Sequence, residues 1–147
     1  MNYRIILLLL LTPLSAKSQE SILSKEINFI KTEALALGFQ PVQVDTFFTS
    51  FNTHLVIPAN ILSRGNVYYW VLFTDYCSDC TIQMNYWNSR SSKHHKLDPT
   101  RSEFGSIQRL EYTFEKKDNF DIELEAFVAG KEKTILYSIL FKKEVKD

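Results

Sequence analysis

The sequence is short of the residues that usually dictate a small protein's chemistry. It has two cysteines, four glycines and four prolines in 147 residues. One disulfide is the most it can form, so the fold has to stand on an apolar core rather than on a covalent framework. Scarce glycine and proline, with aromatics at 14%, argue against a disordered chain. Neither sign of charge dominates, with 17 basic against 17 acidic side chains, which argues against a general affinity for nucleic acid or anionic membrane. No G-x-S-x-G is present, and no serine, histidine and acid share a nucleophile context. No apolar run reaches the ~20 residues that a spanning helix needs.

What is present begins with a leader pattern. Arg4 supplies a positive start, Ile5 to Leu11 an apolar run, and Ala16-Lys17-Ser18 a small-x-small cleavage site. The pattern predicts a signal peptide over residues 1–18 and a mature chain at 19–147, exported to the periplasm or the extracellular space. No cysteine near the cleavage site offers a thiol for acylation. Without Arg4 and Lys17 the mature chain carries 15 basic and 17 acidic side chains.

Glu20 to Leu37 reads as a helix. Ile22, Leu23, Ile27, Ile30, Ala34 and Leu37 recur at helical spacing, Ser21 is a candidate cap, and Gly38 and Pro41 mark the end. Both charge signs on its polar side predict a packing face rather than a membrane surface. From Gln40 onward the period is two. Val42 to Phe48 and Thr53 to Ile57 read as strands. Val67 to Phe73, VYYWVLF, is apolar throughout, as in a strand buried on both faces. Cys80, Ile82, Met84 and Tyr86 then alternate with Thr81, Gln83 and Asn85, and the two segments are expected to pair as a hairpin on which the rest packs. A long polar loop, SRSSKHHKLDPTRSEFGS, follows. Three more alternating strands run through Leu110–Phe114, Phe120–Val128 and Thr134–Lys142. Short connections without helices predict antiparallel pairing. The expected fold is a mainly β, antiparallel, jelly-roll-like sandwich of one domain with one N-terminal α-helix.

Arg64-Gly65-Asn66-Val67-Tyr68-Tyr69, Asp79-Cys80-Thr81-Ile82-Gln83-Met84 and the closing strands from Leu110 to Phe141 together resemble the bacterial pre-peptidase C-terminal domain. The resemblance covers about Thr53 to Lys143. Asp118-Asn119-Phe120 stands where that family has a second Gly-x-Tyr turn, and Asp79-Cys80-Thr81-Ile82 where it has Asp-x-Asp-Leu. It implies a non-catalytic accessory or binding module and brings no catalytic residues.

Cys77-Ser78-Asp79-Cys80 is the sharpest local motif. A redox CxxC wants its first sulfur at a helix N-terminus, where the dipole favours thiolate; here strand follows, and Asp75 and Asp79 oppose ionisation. A structural disulfide is the expected state, worth about 2 kcal/mol for so small a ring. With His94 and His95 the pair suggests zinc, but adjacent histidines on extended chain point apart. Asp75 with Asp79, or Asp118 with Asp121, offers oxygen ligands suited to calcium, although turns are rich in Asp for hydrogen-bonding reasons alone. The loop groups Arg90, Lys93, His94, His95, Lys96 and Arg101 suit an anion such as a phosphate or acidic glycan, and Trp87, on the polar side of its strand, is the aromatic best placed to stack on a sugar ring. Trp87 with these six groups forms the candidate ligand surface. The sequence thus points to an exported binding module for a carbohydrate or protein, with no catalytic residue, no cofactor and no nucleic-acid partner. Two alternatives stand beside it: a thiol-disulfide or metal-dependent enzyme built on the Cys77/Cys80 loop, and a secreted inhibitor or immunity-type protein.

Overall fold

A computed structural model of the chain describes residues 21–49, 52–130 and 133–145; the expected signal peptide lies outside them. The chain forms one helix, α1 (Ile22–Ala36), and then strands β1 (Gln40–Thr49), β2 (Thr53–Ile57), β3 (Asn66–Asp75), β4 (Thr81–Asn88), β5 (Lys93–Lys96), β6 (Thr100–Phe104), β7 (Ile107–Lys116), β8 (Ile122–Ala129) and β9 (Thr134–Glu144). They make two antiparallel sheets. Sheet A has the order β1-β9-β3-β7-β6, and sheet B the order β2-β8-β4-β5.

Three layers result. Between the sheets lies the main core, with Tyr68, Trp70, Leu72, Leu110, Leu136 and Leu140 from sheet A facing Leu55, Ile57, Ile82, Met84, Leu124, Ala126 and Val128 from sheet B. On the far side of sheet A, Ile27, Ile30 and Ala34 of α1 pack on Val71, Phe73, Ile139 and Phe141. β3 is therefore buried on both faces, as its uninterrupted apolar sequence requires. Its buried indole has a partner: Trp70 Nε1 donates to Ser138 Oγ at 2.9 Å, which satisfies a donor that would otherwise be stranded.

The helix ends follow local chemistry. Ser21 Oγ accepts from the Ser24 amide at 3.1 Å. At the other end Gly38 takes φ +83°, the Gly38 amide donates to Leu35 O and the Phe39 amide to Ala34 O, a Schellman closure that needs a left-handed residue. A polar anchor adds to the apolar contact. Buried Glu26 on α1 pairs with Arg109 of β7, which also pairs with Glu111 two residues on.

Two expectations fail here. The segments at β3 and β4 do not form a hairpin: β3 pairs with β7 and β9 in sheet A, whereas β4 pairs with β8 and β5 in sheet B. The chain between them is an arch from one layer to the other. The reason is that β3 has no polar face and must sit mid-stack, while β4 has one and belongs in the sheet with a free side. Nor is the segment after Asn88 a single long loop. Lys93–Lys96 and Thr100–Phe104 are edge strands of sheets B and A. Both are short and charged, which blunts an exposed sheet edge and hides the alternation that marks a buried strand.

Arg109 is the expected weak point of the helix layer. Arg109→Leu leaves Glu26 buried without its cation and is expected to lower unfolding free energy by about 3–5 kcal/mol. The double variant E26L/R109L recovers most of that loss. Urea denaturation of the three proteins measures both.

Candidate functional site

α1 covers the outer side of sheet A, and no described element covers the outer side of sheet B. Register fixes what that bare face carries. His54 lies opposite Phe127, Val56 opposite Glu125, Phe127 opposite Gln83, Glu125 opposite Asn85, and Glu123 opposite Trp87. Asn85 lies opposite Lys96 and Trp87 opposite His94. Directly opposed residues of an antiparallel pair share a face. Two aromatic rings, Trp87 and Phe127, thus lie half-buried among two carboxamides, two carboxylates, two imidazoles and an ammonium.

The centre of this face is organised around Glu125. Its carboxylate is only 12% exposed, with His94 Nδ1 at 3.0 Å from one oxygen and His54 Nε2 at 3.8 Å from the other. Both imidazoles are exposed.

The seven residues of the expected ligand surface do not stay together. Trp87, His94 and Lys96 lie on the outer face of sheet B. His95 points to the other side, stacked on Tyr86 with ring centroids 4.7 Å apart, and Lys93 shares that side opposite Asn88. Arg90 sits over the Phe120 ring at 4.8 Å. Arg101 is structural: it donates to Ile82 O at 3.1 Å and ties edge strand β6 to sheet B. The basic loop is broken up because it is two strands, whose alternation sends successive side chains to opposite sides. The reading from sequence left out His54, Glu125 and Phe127. Phe127 had a legible signal, because it shares the parity of Glu123 and Glu125 on a strand whose other large apolar residues, Ile122, Leu124 and Val128, have the opposite parity.

A cleft of about 220 Å³ opens at one end of the sandwich. Tyr86, Asn88, Ile122 and Leu124 line it from sheet B, and Tyr112, Phe114, Glu115 and Asp118 from β7 and the turn after it. Two turns border it and are tied together, since Ser89 N donates to Asp121 O at 3.0 Å and Asp121 N to Ser89 Oγ at 3.1 Å. Phe114 stacks with both Tyr68 and Tyr112. Burial, and then the neighbouring Tyr86, push the Tyr112 hydroxyl pKa up. Tyr69, on the helix side of sheet A, is raised more strongly, first by burial and then by the Glu111 charge and the hydrogen bond its hydroxyl gives that carboxylate.

Cys77 and Cys80 form a disulfide across the β3–β4 arch, with their Cα atoms 5.3 Å apart. Cys77 follows a strand and begins no helix. Among the described residues, Cys77, Asp79 and Cys80 are the one trio of His, Cys, Asp or Glu whose ligand atoms gather within 4.8 Å. Its sulfurs are consumed by the disulfide. The cysteine–histidine zinc set is pulled apart: His94 and His95 pair with Trp87 and Tyr86, six or seven strand residues beyond Cys80, roughly 20 Å at ~3.3 Å per residue. Asp75 ends β3, Asp79 lies in the arch, and Asp118 and Asp121 lie in the β7–β8 turn; among the described residues neither pair is completed to a trio by a further such ligand.

The sequence matches no protein-family model and no curated protein. Of the pre-peptidase resemblance, the β-sandwich is what the structure shares. One solved structure with a related arrangement holds the CBM22-1 and GH10 modules of the N-terminal endo-1,4-β-D-xylanase 10B of Clostridium thermocellum, complexed with xylohexaose. The identity is 12% and the TM-score 0.44, over 75% of this chain and 27% of that one. This chain thus spans about a quarter of that chain's length. Among the described residues no helix is long and apolar enough to cross a membrane.

Two outcomes follow. A Cβ added at Gly130 would stand 2.8 Å from Cys80 Sγ and 3.2 Å from its Cα. Gly130→Ala is therefore expected to destabilise by about 1–3 kcal/mol, and by less once reductant frees the sulfur to turn away; thermal melts with and without reductant read this. In alkali, Tyr69 and Tyr112 should ionise above the usual tyrosine range in a phenolate absorbance titration. Their native pKa values lie above the unfolded value, so native protein holds protons that unfolded chain releases. That contribution to stability is complete below about pH 10 and declines as pH rises beyond it.

Proposed function

We propose that the protein is an exported, non-catalytic binding module whose outer sheet-B face receives a polysaccharide chain. The observation that carries this is the pattern of that face: two aromatic rings in an uncovered sheet, among Gln83, Asn85, Glu125, His54, His94 and Lys96. Sugar rings present apolar C–H faces edged by hydroxyls. They ask for a ring to lie on and for donors and acceptors beside it, and this face supplies both. Side chains of both charge signs, Glu125 and Lys96, suit a ligand that is hydroxylated rather than strongly ionic. The disulfide fits the oxidising compartment to which the leader over residues 1–18 would send the chain.

The thiol-enzyme reading finds less support. Its sulfurs lie in an arch between strands, joined to each other, with no helix end to favour a thiolate.

Affinity electrophoresis through gels containing soluble plant and bacterial polysaccharides tests the proposal. At least one polysaccharide should retard the protein. Trp87→Ala should weaken retention by about 2 kcal/mol, roughly thirtyfold, with an unchanged circular dichroism spectrum. Migration unaffected by every polysaccharide would sink it, as would equal retention of Trp87→Ala.

A further inference from the structure

We propose that the cleft at the end of the sandwich is a second binding site, which takes one neutral hydroxylated ring, such as a terminal pyranose. It rests on the carbohydrate reading above for its ligand class, but on different residues. Apart from Glu115 and Asp118, its walls are inward side chains of β4, β7 and β8, whereas the bare face uses outward ones of sheet B.

Three observations select the ligand. The first is size: about 220 Å³ lies below the ~300–1,000 Å³ of pockets for drug-sized molecules and suits one ring. The second is the set of polar groups. Tyr86 and Tyr112 bring hydroxyls that meet no hydrogen-bond partner among the described residues. Asn88 Oδ1 accepts from the Arg90 amide at 2.9 Å, which leaves the Asn88 amide hydrogens to donate. Asp118 stands at the mouth with no cation paired to it among the described residues. These groups offer donors and acceptors beside the apolar walls formed by Phe114 on one side and Ile122 and Leu124 on the other.

The third observation is charge. Glu115 is paired with Lys117 at 3.4 Å. A rim with both signs favours a neutral ligand over an ammonium or a phosphate. Protein interiors are normally filled to crystal-like density; here the β4–β8 ladder runs on through Ser89 and Asp121, which orders the sheet-B wall of the cleft that faces β7.

The test is a titration of the full mature chain, followed by amide resonances in two-dimensional NMR. The probes are the methyl glycosides of glucose, galactose, mannose and xylose, with benzyltrimethylammonium and inorganic phosphate as charged comparators. At least one glycoside should shift Tyr112, Phe114 and Ile122 while leaving Gln83 and Phe127 in place. Tyr112→Phe, which removes only a hydroxyl, should weaken that binding roughly three- to tenfold, and Asp118→Asn by a similar factor. Trp87→Ala should leave it unchanged while weakening retention by polysaccharide roughly thirtyfold, so each site can fail without the other. Cleft resonances that respond to no glycoside, that respond only to benzyltrimethylammonium or phosphate, or that respond equally in Tyr112→Phe would overturn the proposal.

Discussion

The structure depends on one strand having no polar side. β3 places Tyr68, Trp70 and Leu72 on one face and Val71 and Phe73 on the other, and all five are fully buried. Leaving either face in water would forgo about 1.5–3 kcal/mol for each large side chain. A two-layer sandwich can cover one face of a strand, not both. The helix and the second sheet are thus both required by the same ten residues, and β3 takes the middle of the five-stranded sheet because that position is flanked by strands and capped by layers. The Glu26–Arg109–Glu111 cluster is the polar counterpart: it lies at the margin of the helix, where the apolar contact ends and charges can still pair.

Because the helix is spent on sheet A, sheet B is left with an outer face to present. The arch at Cys77–Cys80 makes the division possible, since it carries the chain from the fully buried strand to the half-buried one without pairing them. The disulfide closes a small ring and contributes modestly by entropy. Beside it Gly130 comes so close to Cys80 that an added Cβ would stand 2.8 Å from the sulfur, so the chain leaving β8 passes the start of β4 only without a side chain.

Much of the fold was legible in the sequence because burial writes itself as period. The helix, its Ser21 cap and its Gly38 stop, the two-faced apolar strand and the one-faced strands around Leu124 and Met84 all follow from spacing alone. Partner choice was not legible. Alternation says which way a side chain points but not which strand lies beside it, so an arch and a hairpin read alike from Val67 to Asn88. Edge strands were missed for a related reason, since Lys93–Lys96 buries no full face and has nothing to alternate. The candidate site suffered from that miss. Seven residues within fifteen positions looked like one surface, yet pleating sends His94 to one side and His95 to the other, and Arg101 is drawn into a bond with the backbone of β4.

Pleating also links the two proposed sites. Tyr86 and Trp87 are consecutive on β4; the first faces the cleft and the second the bare sheet. Their partners divide the same way, His95 and Leu124 with Tyr86, His94 and Glu123 with Trp87. One strand pair is therefore the wall of both sites. A shift of one residue in its register would exchange every inward and outward side chain, emptying the cleft of its tyrosine and the face of its tryptophan together. The inward residues Ile82 and Met84 prevent that shift, since exchanging them for Gln83 and Asn85 would put carboxamides into the core. The packing that holds β4 in place is thus also what keeps the two surfaces distinct.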